Sequence, residues 1–427
     1  MLKKILNDID LINFILKKGG LIFLFRMISM ALTFFTTWYI STHYGGSDFG
    51  RFSLALTVLQ IIFLFFALGL PSVFLAFTGS FTNDELKKGL LIKATKIVLV
   101  VSVFPVLVTF FGADLIAQGI FEKESLAVYF RIVAFAVPFM ILHEIICYYF
   151  ISVSRHLSYG ILLFVLPNIV FTLFLILTHC FDLPGYFTFL DYTLGIAITV
   201  LVGFFMAFYQ SREFSLPDLS YKDILRKSIP MMVGSMFLLL LNWTDILMLG
   251  RMETEENIGI YNAAFKIGYL ALFFIASMNV VVMPKISELF HQDNIPEMKK
   301  VINRATQIVI VLTLPLALFI MIFSKEILSI YGEDFVAGST CLIFITAGAL
   351  FNAMTGNVDQ ILNMTNQQNL VKNIFFIGFV LNVVLNLFLI SAYGIQGAAL
   401  SSLITNVIVN VIFVYKIKKN LGFYTFI

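Results

Sequence analysis

The candidate ionisable side chains inside stretches that are otherwise apolar are Arg26, Lys93, Lys96, Arg131, His143, Glu144, Asp245, Lys266 and Asp359. A charge in hydrocarbon costs about 3 kcal/mol or more unless it faces a polar cavity, finds a partner or snorkels to an interface. Cations so placed suit the binding of an anion such as a phosphate, and carboxylates suit the uptake and release of a proton or a cation. The spacing sets several of them on polar faces. Arg26, Met30, Thr33 and Thr37 recur at steps of three or four, so one helix face carries a guanidinium followed by hydroxyls. Ser53, Thr57 and Gln60 form a second stripe, and Asn262, Lys266 and Tyr269 a third. Asn242 and Asp245 stand one turn apart, and Asn352, Thr355, Asp359 and Asn363 share a face.

These patterns give two sets of candidates. The substrate contacts are Arg26, Thr33, Thr37, Gln60, Arg131, Asn262, Lys266 and Asn352; the ion-coupling carboxylates are Asp245, Glu144 and Asp359, with H+ or Na+ as the ion. Arg26, ~9 Å into its stretch, points into a cavity or snorkels, and for Lys93 and Lys96 snorkelling is the simpler reading. Arg131 and Glu144 are thirteen residues apart and fall on different faces at 100° per residue. Asp245 can pair with Lys266 or bind a cation. Catalysis has no comparable signal: the connections, at most about 20 residues long, hold no DxD, HExxH or phosphate-loop pattern. No cofactor or metal is expected either, since Cys147, Cys180 and Cys341 are widely spaced in or beside apolar runs.

The elements that position these groups must be membrane helices. Hydrophobic residues make up 60% and charged residues 12% of the 427, and the mean hydropathy is +0.96. So little charge cannot cover two or three soluble cores, and lipid is the solvent the runs fit. Runs of about 20 apolar residues predict twelve spans at 20–43, 52–76, 90–111, 126–150, 158–180, 187–209, 228–250, 260–283, 303–323, 340–362, 371–391 and 395–415. Backbone satisfaction in lipid makes each a helix. With the N-terminus inside, inner segments hold 19 lysines and arginines and outer ones only Arg51, Lys123, Arg251 and Lys325, so both termini are expected in the cytoplasm. The net charge of +3 is spread over many loops, which does not suit nucleic acid. The sequence before the first span mixes lysines and acids with Ile5, Ile9, Ile12 and Leu16 and reads as an interfacial helix, not a cleavable signal.

The chain also repeats itself. Leu173-Phe-Leu-Ile176 recurs as Leu387-Phe-Leu-Ile390 with Asn168 matching Asn382, a shift of 214. Phe49-Gly50 matches Ile258-Gly259 at 209, and Pro105 matches Pro315 at 210. The expected organisation is a cytoplasmic interfacial helix at 1–19, a six-helix lobe at 20–209, a cytoplasmic linker at 210–227, a second six-helix lobe at 228–415 and a cytoplasmic tail at 416–427. Six spans per half give both halves one orientation and a pseudo-twofold axis along the membrane normal, with a cavity between them.

Phe49-Gly50 after a first span bearing Arg26, Asn242 and Asp245 in the seventh, and Ile258-Gly259-Ile260-Tyr261-Asn262-Ala263-Ala264 together resemble Wzx-type O-antigen flippases. These belong to the multidrug/oligosaccharidyl-lipid/polysaccharide exporter superfamily. The resemblance covers almost the whole chain. It implies an all-helical, two-lobed transporter working by alternating access, which carries an undecaprenyl-pyrophosphate-linked oligosaccharide from the inner to the outer leaflet of the plasma membrane. It further implies membrane lipids as surroundings, the polymerase and glycosyltransferases of the same pathway as partners, and matching roles for Arg26 as the first-span cation and Asp245 as the seventh-span acid. Drug exporters of the superfamily often keep a first-span acid, and none occurs between Gly20 and His43; lipid II flippases typically carry two further spans. A cation-coupled multidrug exporter and a membrane-embedded polysaccharide polymerase are the competing readings.

Overall fold

The computed structural model describes residues 9–78, 81, 83–209 and 213–426, and among these the regular structure is helical, with no strand. Nine helices are long and apolar enough to cross a membrane among the described residues. One of them, Gln368–Leu421, has 54 residues, about 80 Å if straight and far more than the ~30 Å hydrocarbon layer. It is in fact a hairpin. Gly394 adopts φ 58° and ψ −136°, a conformation that a side chain would clash with, and the chain returns so that Phe375 meets Phe413 at 5.3 Å. The two predicted spans 371–391 and 395–415 are its arms. The runs predicted at 20–43 and 228–250 lie on helices α1 (Ile9–His43) and α8 (Tyr221–Met252).

Between these run α2 (Gly45–Phe66), α3 (Leu70–Thr78), α4 (Asp84–Phe111), α5 (Leu126–Ser152), α6 (His156–Cys180) and α7 (Phe187–Tyr209). After α8 come α9 (Glu255–Gly268), α10 (Phe273–His291), α11 (Ile295–Ile322), α12 (Ser324–Ser329), α13 (Ser339–Thr355), α14 (Val358–Met364) and α15 (Gln368–Leu421). Side-chain caps mark several starts: Asn83 accepts from the Glu85 amide at 2.9 Å, Thr254 from Asn257 and Asn294 from Glu297.

The predicted span 260–283 passes from α9 to α10 through a 3-10 turn at Tyr269–Leu272, and two others are broken by a change of backbone hand. The run 52–76 stops at Phe66 and restarts at Leu70, with Leu68 and Gly69 both at positive φ. The run 340–362 stops at Thr355 and restarts at Val358 across Gly356 and Asn357, again both left-handed. Hydropathy does not register such breaks, because a span-length window averages over two residues.

The chain divides into two compact units, Met1–His43 with Ala55–Val233, and Tyr44–Leu54 with Gly234–Ile427. In the first, α5 is the central helix. Its small residues Ala127, Ala134 and Ala136 and its buried Phe130, Val133 and Ile141 let α3, α4 and α7 pack closely around it. The far side of α4 exposes Val100, Phe104 and Phe111, the last at 76%, as expected of a face that meets lipid. In the second unit α13 packs against α9, α11 and α15. One buried cluster there joins Val282 and Ile286 of α10, Ile361 of α14 and Val371, Phe375 and Phe413 of α15. Together these features make the chain a multi-pass membrane protein.

Of the segments expected at the ends and middle, residues 1–8 lie outside the described residues, and from Ile9 the chain is one helix through to His43. Residues 210–212 also lie outside them, and 213–220 form an irregular strap that ends where Ser220 and Asp223 cap α8 reciprocally. Lys93 does not snorkel to water: its ammonium donates to the carbonyls of Pro217 and Leu219, each at 2.8 Å, and pins the strap to α4. Replacing Lys93 with methionine should leave those carbonyls unpaired, cost about 1–2 kcal/mol and speed proteolysis within 213–220. Unchanged cleavage would mean that the strap is held by other contacts. At the other end α15 continues to Leu421, and the residues after it fold back, burying Phe423 and Thr425, whose hydroxyl donates to the Thr355 carbonyl.

Candidate functional site: polar clusters inside the helical units

The first unit brings Arg26 and Glu144 to the same neighbourhood, although they come from α1 and α5. Both helices pack against the opening turns of α6. Arg26 is half-buried, lies 5.6 Å from the centre of the Phe164 ring, and has no hydrogen bond or ion pair among the described residues. Its five donors are therefore available to an anion. A π-helical turn at Ile161–Val165 shapes this place, and the Leu162 carbonyl lies 2.9 Å from His143 Nε2. One turn along α1 from Arg26, Ser29 accepts from the Asn168 amide at 3.1 Å.

The hydroxyl stripe is partly spent on its own helix. Thr37 is buried and donates to the Thr33 carbonyl at 2.7 Å, as Thr36 does at 3.1 Å. Gln60 is half-buried on α2 with no side-chain bond among the described residues. Arg131 is elsewhere: its guanidinium grips both oxygens of Asp114, at 2.6 and 2.9 Å, with both side chains well exposed.

In the second unit Asp245 is buried at 1% exposure, and its partners are hydroxyls and an amide. Tyr261 of α9 donates to it at 2.5 Å, Asn386 of α15 at 2.7 Å, and Ser402 from the returning arm of α15 makes a third bond. Asn386 also donates to the Asn382 side-chain oxygen, Oδ1, at 3.1 Å, while its own amide oxygen is buried without a partner. The cluster thus surrounds one carboxylate with hydrogen-bond donors, and the carboxylate is the group in it able to take up a proton. No group of three His, Cys, Asp or Glu residues among the described residues could hold a metal ion. Lys266 places its ammonium 5.2 Å above the Phe49 ring, and Asn262, one turn earlier, is buried.

Below them lies a cavity of about 270 Å³, lined by Asn352 and Asp359 as the stripe on the tenth run predicts, and also by Asn242, Tyr269, Asn279, Asn357, Asn406 and Asn410. Asn363 and Thr355 do not line it; Thr355 instead donates to Asn410 at 3.1 Å. The break at Gly356 and Asn357 explains why, since it ends the helical phase that linked these four positions.

Sequence reasoning missed several of these groups. Asn382 and Asn386, and Asn406 and Asn410, are four-residue pairs on apolar runs and could have been found by the same spacing rule that found Asn352. Asp114 carried no local signal. Nor did the contact between the two repeat-matched glycines. A Cβ on Gly50 would stand 1.7 Å from the Glu255 carbonyl oxygen and one on Gly259 2.4 Å from the Gly46 oxygen, so α2 and α9 touch backbone to backbone. Arg51 fastens the same place, bonding Glu255 at 2.5 Å and Asp48 at 2.9 Å.

Comparison with known proteins agrees with this architecture. Residues 15–290 match the model of the polysaccharide biosynthesis protein family, and residues 230–388 match the MatE family. Among curated proteins, the chain is similar to the probable low-salt glycan biosynthesis flippase Agl15 of Haloferax volcanii, 26% identical over 162 residues, 38% of this chain and 34% of that one. It is also similar to the probable flippase AglR of the same organism, 22% identical over 181 residues, 42% of this chain and 38% of that one. The chain thus spans little more than a third of the length of the curated relatives it matches. Among solved structures, it superposes on an inward-facing multidrug resistance MATE transporter with a TM-score of 0.78 at 14% identity, over 95% of this chain and 98% of that one. The lipid II flippase MurJ in an inward closed conformation gives 0.79 at 15%, over 94% and 88%. By its matched residues this chain belongs to the polysaccharide biosynthesis protein family, and its helical fold is that of the multidrug/oligosaccharidyl-lipid/polysaccharide exporter superfamily.

Proposed function

We propose that this protein is a flippase that carries a polyprenyl-pyrophosphate-linked oligosaccharide, an O-antigen or capsule repeat unit, from the inner to the outer leaflet of the plasma membrane, with both termini cytoplasmic. The observation that carries the proposal is Arg26: a guanidinium kept inside an apolar span with its donors unspent, in a chain of a family whose named relatives include glycan flippases. A diphosphate entering low-dielectric surroundings needs such fixed positive charge. Arg26 meets it first and Lys266 receives it later, while Thr33, Gln60, Asn262 and Asn352 offer hydrogen bonds to the sugars. The prenyl tail stays in lipid. Arg131 is assigned to its Asp114 partner and leaves the substrate path. No reaction is assigned to the chain, because the named relatives are flippases and transporters.

Voltage alone supports export. About two negative charges moving outward across an inside-negative ~100 mV release roughly 4–5 kcal/mol. Coupling of H+ or Na+ through Asp245 adds to that drive, with Glu144 and Asp359 as the other carboxylates able to take a proton. In proteoliposomes, translocation of a polyprenyl-diphosphate glycan should rise when the compartment of origin is made negative. A multidrug exporter, the second reading, is favoured by the match of residues 230–388 to the MatE family. It predicts the opposite pattern: uptake of a lipophilic cation such as ethidium and no movement of the glycolipid.

A further inference from the structure

We propose that the cavity inside the second unit is a saccharide subsite, which recognises a neutral, hydroxyl-rich sugar ring of the cargo and sets which glycan is carried. The inference rests on the flippase reading and adds to it a site with its own chemistry. The walls are largely apolar, and the polar groups set in them are mainly side-chain amides, with one carboxylate, Asp359, and no lysine, arginine or histidine.

Much of that polarity is already committed, and what is left over points to the ligand. Asn410 donates to the Asn406 side-chain oxygen at 2.7 Å and accepts from Thr355. Asn357 donates to Asn279, and Tyr269 donates to Asn242 at 3.3 Å. These pairs hold the amides in fixed orientations. After them, the Asn406 and Asn242 amide N–H groups and the whole Asn352 amide have no partner among the described residues, and the Thr405 hydroxyl is buried without one. An amide offers donors and acceptors side by side, which matches a sugar hydroxyl that does both. Unmet polar groups in an apolar surround are costly, so a ligand that satisfies them gains accordingly. Phe265 and Phe375 add apolar walls against which the C–H face of a ring can lie. The volume, about 270 Å³, is at the lower edge of small-molecule sites, ~300 Å³ and above, and so suits a single ring better than a whole repeat unit. A cationic drug would find the Asp359 carboxylate and aromatic faces here, but would leave the amide donors unpaired.

Two variants block the site in different ways. A Cβ on Gly348 would lie 3.7 Å from the Asn406 amide and from Leu403, an ordinary contact distance, so Gly348→Leu starts its side chain without a clash at Cβ and takes up cavity space. Asn352→Leu removes the amide that is least engaged. Each should be measured as full-length protein in proteoliposomes with two synthetic cargoes, a polyprenyl diphosphate bearing a single sugar and the bare polyprenyl diphosphate. The expected result is that both variants lose about tenfold in translocation of the sugar-bearing lipid and keep that of the bare lipid. The bare lipid is the internal control for folding. Equal loss of both cargoes, or loss of neither, overturns the subsite while leaving the flippase reading intact. A wild-type protein that moves neither lipid brings down both. If the variants instead abolish ethidium transport, the cavity belongs to a drug.

Discussion

Asp245→Ala should lower transport at least tenfold and also lower the thermal stability of the protein in detergent. The carboxylate is buried and accepts from Tyr261, Asn386 and Ser402, so removing it strands three donors, one from α9 and one from each arm of α15. At about 1 kcal/mol for each bond in a membrane interior, the expected loss is about 3 kcal/mol. Asp245→Asn separates the structural part from the charge. It keeps the volume and one acceptor, so most of the stability should return, while any dependence of transport on a proton or sodium gradient should vanish. A stable Asp245→Asn protein that responds to both gradients as wild type does would remove Asp245 from ion coupling.

Gly50→Ala should be severely damaging for so small a change. A single methyl would lie 1.7 Å from the Glu255 carbonyl oxygen, and a backbone atom cannot swing aside as a side chain can. Relief requires α2 and α9 to part, and that loosens Gly259 against Gly46 and the Arg51–Glu255 pair together. Overpacking of this severity costs about 3 kcal/mol or more, so the yield of folded protein should fall sharply. Gly119→Ala is the matched control, since nothing lies within 4 Å of its added methyl. Arg51→Met should do much less than Gly50→Ala, because a partly exposed ion pair contributes ~1 kcal/mol or less. If Gly50→Ala folds as well as the control, the close approach of the two helices is not a constraint on the fold.

The helical fold was legible because lipid imposes one rule on every span: apolar side chains outside and the backbone bonded to itself. The landmark pair Phe49-Gly50 and Ile258-Gly259 was legible too, as a repeat, but its meaning was not. Spacing along the chain cannot say that two matched glycines touch each other. The interruptions at Leu68–Gly69 and Gly356–Asn357 were hidden for a related reason, since a hydropathy window averages over a two-residue change of backbone hand. That second break also spoiled one prediction: Asn352, Thr355, Asp359 and Asn363 share a face only on an unbroken helix, and Asn352 and Asp359 alone reach the cavity. Asp245 stood out as an acid in an apolar run, whereas its partners Asn386 and Ser402 lie 141 and 157 residues away. Only tertiary packing brings them together. Arg131 misled because its position suggested a spare cation, and Asp114, seventeen residues earlier, takes the charge.

Surface glycan in a strain that depends on this protein is the most direct readout of the account, measured for Arg26→Gln and Lys266→Gln at wild-type protein levels. Loss of most of the glycan in both variants, with the lipid-linked precursor accumulating on the inner side, is the predicted result. Full surface glycan in both would contradict it, because a diphosphate would then be crossing without the two cations on which the proposed route depends.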